Sequence, residues 1–336
     1  FKQKTAYEIY QCDWSSDVCS SDLARTALAT HVFKVPVSQL RVIARDVGGG
    51  FGLKTNPFPE EALVLWAARR VGRPVRWIAS RSESFLTDNH GRDQVVSGEL
   101  ALDAQGRVLA IRARALHGVG AYVFSSAVAP LQFSMLLLPN VYDMAAADVR
   151  TRAVFTHTAP LAAYRDAGRP EACFLIERLV DEAAARLGVD AAELRRRNFI
   201  AAAALPYRSA TGITYDSGRF EAVLDQCLTH IDWSGFERRR ALAQARGRLR
   251  GRGLACFIEQ SGVFNERMSL HFQPDGSLTI VAGTLSHGQG HATVYAQMAS
   301  SWLGIAFERI RLVQGDTDGV PIGRGTFAAR SMLLGG

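Results

Sequence analysis

Three stretches, DVGGGFGLK at 46–54, SHGQGHAT at 286–293 and GRGTFAARS at 323–331, constrain this chain more than any other feature. Glycine adopts left-handed backbone readily and loses the most freedom on folding, so such runs interrupt helices and strands and force tight loops. Successive loop amides also make a concavity that suits anions, and two of the three stretches run into helix-like segments. One such loop is an ordinary turn. Three in one chain predict a large phosphate-bearing ligand held mainly by backbone N–H groups.

Strand-like and helix-like segments alternate along the chain without an internal repeat. VRWIAS at 75–80, QVVSGELALD at 94–103 and RVLAIRARALHG at 107–118 read as strands, the last two divided by the turn DAQG. MSLHFQPDGSLTIVAG at 268–283 reads as a hairpin, with Asp275 and Gly276 as turn residues that tolerate positive φ. Helix signals are stronger. PEEALVLWAARRVG at 59–72 opens on Pro59, puts Glu60 and Glu61 at the positive end of the dipole, and closes on Arg69, Arg70 and Gly72. RPEACFLIERLVDEAAARLG at 169–188 repeats that grammar, with Leu175, Leu179 and Ala183 on one face and Gly188 as the stop. DAAELRRRNF at 190–199 pairs Asp190 with Glu193 in a variant of the capping box. The pattern is that of an α+β chain with mixed sheets and helices, and its length suggests roughly two domains. The polar stretch 236–252 is the expected linker between a first domain at 24–235 and a second at 253–336.

The first 23 residues, FKQKTAYEIYQCDWSSDVCSSDL, follow neither period and lack the apolar run of a secretory signal. KQKTAYEI and DWSSDVCSSDL resemble the two constant parts of a sequencing-library adapter translated in one frame, so residues 1–23 are expected to be non-native and outside the fold. The formal charge of +7 rises when this segment, with two lysines against four acids, is set aside. The arginines are interleaved with acids, as in ERRRALAQAR and AAELRRRNF, and no nucleic-acid-binding module is present, which argues against a nucleic-acid partner. Beyond the segment only Cys173, Cys227 and Cys256 remain, none in CxxC spacing. An iron–sulfur or zinc site built by this chain alone is therefore not expected, and a reducing, cytoplasmic setting is. MLLLP is cut short by Pro139, far below the roughly 18–20 apolar residues of a membrane span.

GRGTFA fits the loose dinucleotide pattern GxGxxA, but VPI before it is too short to be a clear strand and no distal acid follows. GGGFGLK lacks the spacing and the Ser/Thr of a phosphate loop. His287 and His291 lie four apart, yet Gly288 and Gly290 disfavour a helix between them and Gln289 cannot act as the glutamate of an HExxH zinc site. A loop entering the helix HATVYAQMASSWLG is expected instead. In AYRDAGRPEA at 163–172, Arg165 and Arg169 either orient an anionic or carbonyl substrate or form a surface pair with Asp166 and Glu171, and spacing alone favours the surface pair.

Taken in order, RVIARDVGGGFGLK, AYRDAGRPEA, SHGQGHAT and GDTDGVPIGRGTFAARS closely resemble the large, molybdopterin-binding subunit of the xanthine dehydrogenase and aldehyde oxidase family. Within it the chain looks most like the large-chain homologues of aerobic carbon monoxide dehydrogenase. The resemblance implies the mixed α+β cofactor-binding domains of that subunit and a molybdenum–pyranopterin cytosine dinucleotide cofactor. It implies hydroxylation of a small-molecule substrate, an aldehyde or N-heterocycle, with oxygen from water. The implied partners are an iron–sulfur small subunit with 2Fe-2S clusters and a medium subunit with FAD. A family glutamine is expected upstream of ARTALA and the glutamate base beyond Gly336, which would make this an internal fragment, inactive by itself.

Carried over by residue, Gly50, Phe51 and Gly52 match the family loop that passes beside the metal. Gly288, Gln289, Gly290 and Thr293 match one cofactor loop, and Gly325, Thr326, Ala329, Arg330 and Ser331 match another, with no direct side-chain ligand to the metal. Ala292 and Ala329 replace a common Glu and a common Ser. Arg165 matches a catalytic arginine of the substrate pocket, which raises the functional reading of that residue above the surface pair; Phe51 and Asp166 line the same pocket. Asp166 stands where carbon monoxide oxidisers carry a copper-binding Cys, and a carboxylate is a poor ligand for Cu(I), so CO oxidation is the alternative rather than the expectation. A noncatalytic dinucleotide-binding module built on GRGTFA is the alternative from another class. Resequencing the source locus is expected to show different coding sequence before ARTALA; genomic DNA encoding Phe1–Leu23 would overturn that assignment.

Overall fold

The computed structural model describes residues 7–10, 21–55, 57–259, 261–262 and 264–336. Of the first 23 residues the described ones form β1 (Tyr7–Tyr10) and the start of α1 (Ser21–Ala27), and the rest, with Cys12 and Cys19, lies outside the described residues. β1 runs parallel to β2 (Leu40–Ile43), with Tyr7 opposite Leu40 and Tyr10 opposite Ile43. A stretch expected outside the fold thus adds a strand, because a ladder uses the N–H and C=O groups that every residue carries.

α2 (Pro59–Val71) follows its signals, with Pro59 in the first turn and Gly72 closing it at φ 66. VRWIAS is a correction: among the described residues its backbone joins no ladder, and Val75 and Ile78 stay exposed. α3 (Arg81–Thr87) follows, started by a full capping box between Ser80 and Glu83. β3 (Gln94–Leu102) and β4 (Val108–Gly118) form the expected antiparallel hairpin. After α4 (Val128–Leu136), β5 (Ala146–Val154) returns parallel to β4. α5 (Arg169–Leu187) covers this sheet, burying Ala172, Leu175, Ile176 and Val180 in one core with Ile111 and Ala113 of β4. α6 (Ala191–Asn198) starts at Asp190, whose Oδ1 accepts from the Ala192 and Glu193 amides. The reciprocal half of the capping box is not made, because Glu193 pairs with Arg196 and Arg197.

A short hairpin of β6 (Tyr207–Arg208) and β7 (Thr214–Tyr215) precedes α7 (Phe220–His230) and α8 (Phe236–Gln244). The expected linker is therefore helical over its first half; ERRRALAQ is rich in strong helix formers. Residues 248–259 form no helix or strand, and Leu254, Cys256 and Ile258 pack on the first core. This strap is pinned by side chains of the first domain. Asn140 Nδ2 donates to the Cys256 carbonyl at 2.6 Å, and Arg195 Nη2 donates to the Leu254 carbonyl at 3.0 Å. Arg195 is fully buried and pairs with Glu177 at 2.8 Å and Asp181 at 2.9 Å, while Tyr142 donates to Glu177 at 2.5 Å.

The second core is smaller. β8 (Met268–Phe272) and β9 (Leu278–Ala282) form the expected hairpin, and α9 (His291–Leu303) carries the chain to β10 (Ile310–Val313), parallel to β9. Tyr295 and Ala299 of α9 pack on Leu278, Ile280 and Ala282, and α10 (Arg330–Gly335) closes the described chain. The three glycine loops follow the carboxyl ends of β2, β9 and β10, the edge at which parallel strands present ligands. No helix among the described residues is long and apolar enough to cross a membrane.

Arg195→Ala leaves Glu177 buried without its cation and is expected to cost about 3–5 kcal/mol in denaturant unfolding. Arg186→Ala removes an exposed pair with Glu182 and should cost less than about 1 kcal/mol in the same measurement.

Candidate functional site

The loop after β2 meets the arginine loop before α5 backbone to backbone. Gly50 is buried, Phe51 takes φ 54 with 55% of its surface exposed, and Gly52 takes φ 83. A Cβ on Gly52 would lie 2.5 Å from the Ala163 carbonyl oxygen, so glycine alone permits this approach. The Arg165 amide donates to the Phe51 carbonyl at 2.8 Å. Residues 114 apart in sequence thereby share one hydrogen bond.

Asp166, Ala167 and Gly168 take φ values of 68°, 38° and 96°, three successive left-handed residues. Such conformations in residues with a Cβ cost roughly 1–3 kcal/mol each, and surrounding contacts must offset that. Arg92 supplies part of it, donating to the Tyr164 carbonyl at 3.3 Å and the Arg165 carbonyl at 2.6 Å. Arg169 supplies more, since both its amide and its Nη1 donate to the Asp166 carbonyl, at 3.1 and 3.2 Å. The surface pair that spacing favoured is not formed. Arg165 is exposed and its guanidinium has no partner among the described residues, with Asp166 exposed beside it. Arg169 instead turns inward at the start of α5, where it pairs with Glu259 at 3.0 Å and lies over Phe133 at 4.2 Å. Burial pushes the Glu259 carboxyl up to about 7, against the opposing pull of Arg169.

The loop after β9 is open. Gly288, Gln289, Gly290 and Thr293 are exposed, and a Cβ on Gly288 or Gly290 would meet nothing within 4 Å. α9 begins at Gly290, at φ 75, with no side-chain cap, so its first turn presents N–H groups at the positive end of the dipole. The Gln289 side chain folds back on its own loop: Oε1 accepts from the His287 amide and Nε2 lies 2.9 Å from His291 Nε2. His291 is buried, its other ring nitrogen faces Gln314, and burial holds its imidazole below the usual range. The two histidines are thus not a metal pair. Among the described residues no group of three or more His, Cys, Asp or Glu is arranged to hold a metal ion.

The loop after β10 is tied to its neighbour. Thr326 Oγ1 donates to the Leu285 carbonyl at 2.7 Å, accepts from the Leu285 amide at 2.9 Å, and lies 3.1 Å from Ser331 Oγ. Gly325 is buried, its amide donating to the Gly283 carbonyl, and Ala329 is exposed at φ 52. Arg330, expected to touch a cofactor, has its guanidinium fully buried against Glu266 at 2.6 Å and the Gly325 carbonyl at 2.6 Å. It shapes the loop from behind, so any contact it makes with a ligand is through the backbone.

Leu285 links the remaining pair of loops by packing with Ala44 and Val47. Beside it the Ala44 amide donates to the Gly315 carbonyl at 2.7 Å, and Arg41 grips both carboxylate oxygens of Asp316, at 3.0 and 2.7 Å. The four sequence motifs therefore form one continuous contact chain, from Arg165 to Phe51, from Val47 to Leu285, and from Leu285 to Thr326. Sequence reasoning missed Arg92, Glu259, Glu266 and Gln314; each is a lone polar residue whose role comes from what the fold sets opposite it.

Two family models described as Molybdopterin cofactor-binding domain match residues 14–199 and 226–336. The carbon monoxide dehydrogenase large chain of Hydrogenophaga pseudoflava is 34% identical over 97% of this chain and 44% of its own length. The nicotine 6-hydroxylase large subunit of Paenarthrobacter nicotinovorans is 33% identical over 89% of this chain and 38% of its own. Quinoline 2-oxidoreductase from Pseudomonas putida 86 superposes with a TM-score of 0.89 at 31% identity, covering 94% of this chain and 42% of that one. The chain thus spans less than half the length of these relatives.

Gly52→Ala is expected to cost roughly 1–3 kcal/mol, because the new methyl must part the two loops and sits at positive φ. Gly72→Ala, also at positive φ but with nothing within 4 Å, is the control, and thermal unfolding should rank Gly52→Ala as the more damaging.

Proposed function

Because the chain belongs to the molybdopterin-binding large-subunit family that includes carbon monoxide dehydrogenase and xanthine dehydrogenase, we propose that its glycine loops hold a molybdenum pterin as the cytosine dinucleotide. The whole subunit then hydroxylates a carbon of an aldehyde or N-heterocycle. The observation that carries this reading is the open, glycine-lined loop at 288–290 leading into an uncapped helix, contiguous with the Phe51 and Arg165 loops. Backbone donors of this kind hold phosphates without burying another side-chain charge, so the residues present fit a dinucleotide-bearing cofactor.

When bound, the cofactor supplies the two-electron oxidation of the substrate carbon, with water as the oxygen source. Gly288, Gln289, Gly290 and Thr293 would receive its phosphate-bearing part, and Gly325, Thr326, Ala329 and Ser331 would set the adjoining loop, with Arg330 bracing it. Gly50, Phe51 and Gly52 would pass beside the metal. Phe51 offers an exposed aromatic ring on which a planar substrate can lie. Arg165 offers an unpaired fork of donors that can orient a carbonyl or ring nitrogen and stabilise negative charge developing there. Nicotine and quinoline, named for two of the similar proteins, are N-heterocycles, which agrees with that arrangement. Asp166 in place of a thiolate argues against copper and CO. Cys173, Cys227 and Cys256 are free thiols, in keeping with a reducing cytoplasm, and onward electron transfer falls to 2Fe-2S and FAD on partner subunits.

Gly290→Val should lower molybdenum and pterin content of the purified protein several-fold, since the added side chain fills space that is empty of protein atoms. Unchanged content in a folded variant would overturn the loop's role. Arg165→Ala should retain molybdenum while turnover falls by about two to three orders of magnitude. Stoichiometric copper with CO turnover would reverse the substrate assignment.

A further inference from the structure

Resting on the reading of Arg165 as the substrate-orienting group, we propose that Glu259 is a positioning residue. Acting through Arg169, this carboxylate from the strap between the two cores holds the Asp166–Gly168 turn and thereby sets where Arg165 points. The argument begins with Arg169. Its side chain is 4% exposed and enclosed by the Phe133 ring, the Asp166 carbonyl and Glu259. A guanidinium so placed needs a counter-ion, and the carboxylate paired with it among the described residues is Glu259, at 3.0 Å. Burial lowers the Arg169 pKa and the attraction of Glu259, with a smaller one from Asp166, opposes this, so the buried charge is held chiefly by the ionised Glu259.

What Arg169 holds is the strained part of the loop. Its amide and its Nη1 converge on the Asp166 carbonyl, the first of three successive left-handed residues, and Arg165 is the residue just before them. If the head group leaves, Asp166 loses a side-chain donor and the turn loses part of what offsets its strain. The other anchors act on neighbouring groups, Arg92 on the Tyr164 and Arg165 carbonyls and the Arg165 amide on Phe51, whereas the Asp166 carbonyl takes its side-chain donor from Arg169. Glu259 reaches this position because segment 248–259 packs on the first core, where Arg195 and Asn140 hold the Leu254 and Cys256 carbonyls.

The arrangement gives the loop a dependence on pH. The charged groups facing Glu259 are Arg169, which favours its ionised form, and Asp166, which opposes it, and burial is the larger influence. With a carboxyl that titrates at about 7, ionisation rises from roughly one tenth near pH 6 to roughly nine tenths near pH 8. The Arg169 pair therefore forms as pH rises through neutrality. One buried oxygen of Glu259, Oε2, has no hydrogen-bond partner, so the carboxyl can take up a proton without breaking another contact.

Hydrogen exchange read by mass spectrometry on the peptide spanning 160–172 tests this without reference to turnover. Rates are corrected for intrinsic exchange and referred to a peptide from β3 and β4. Once Arg169 leaves, Glu259 stays buried without its cation and holds its proton more tightly, so the opened turn binds more protons than the closed one and protection in the wild-type protein should rise several-fold from pH 6 to pH 8. Glu259→Gln, which keeps the shape but not the charge, should leave it low and flat, and Glu259→Asp should restore part of the rise. Protection that is flat in the wild type, or that rises equally in Glu259→Gln while the β3–β4 peptide stays protected, would overturn the proposal. Molybdenum content, which tests the cofactor reading, is expected to be the same in all three proteins, so the two ideas fail separately.

Discussion

Close approach of backbone to backbone is the constraint on which the rest of this structure depends. Among the places where the chain brings segments together so tightly that no Cβ fits, three join these loops. A Cβ on Gly52 would fall 2.5 Å from the Ala163 oxygen, one on Gly315 would fall 2.3 Å from the Ala44 oxygen, and one on Gly283 would fall 2.6 Å from Gly323 Cα. These contacts join, in turn, the Phe51 loop to the arginine loop, the segment after β2 to the segment after β10, and the loop after β9 to the loop after β10. A surface of backbone donors can be assembled from three separate loops only if the loops nearly touch, and side chains would hold them apart.

Charge is treated in two opposite ways around that surface. Behind it, guanidinium groups are buried and paired: Arg195 with Glu177, Arg330 with Glu266, and Arg169 with Glu259. Each also donates to backbone carbonyls of a segment that carries no regular hydrogen bonding of its own, respectively at Leu254, Gly325 and Asp166. A flat guanidinium with five donors suits this work, since it can satisfy a carboxylate and several carbonyls at once. On the open side Arg165 is left without a partner among the described residues. Paired arginines thus build the loops, and the unpaired one remains available to a ligand.

The two cores are bound to each other by unlike means. Segment 248–259 is held on the first core by specific hydrogen bonds from Asn140 and Arg195, whereas β2 meets the turn after β10 through the Arg41–Asp316 pair and the Ala44, Val47 and Leu285 contact. The expected linker contributes to this unevenly. Its first half is α8, and the irregular segment that continues from it carries Leu254, Cys256 and Ile258 into the first core and Glu259 to the arginine loop. A stretch read as a spacer is in part a structural strap, which polarity of composition alone could not reveal.

The sequence by itself determined where the glycine loops fall, the helices α2, α5, α6 and α9, the turn-divided strands of both long hairpins, and the family to which the ordered motifs point. Those are local properties: a proline in a first turn, a glycine at a helix end or a period-two run acts within a few residues of itself. Tertiary structure decided the rest. VRWIAS has a strand's composition but pairs with no strand among the described residues, and Tyr7–Tyr10, in a segment without a sustained period, lies beside β2. Arg165 and Arg169 are alike in sequence, four residues apart, and one faces solvent while the other is buried on Glu259, 90 residues away. Whether an arginine is a tool or a brace depends on which carboxylate the fold brings within about 3 Å of it, and no local pattern encodes that distance.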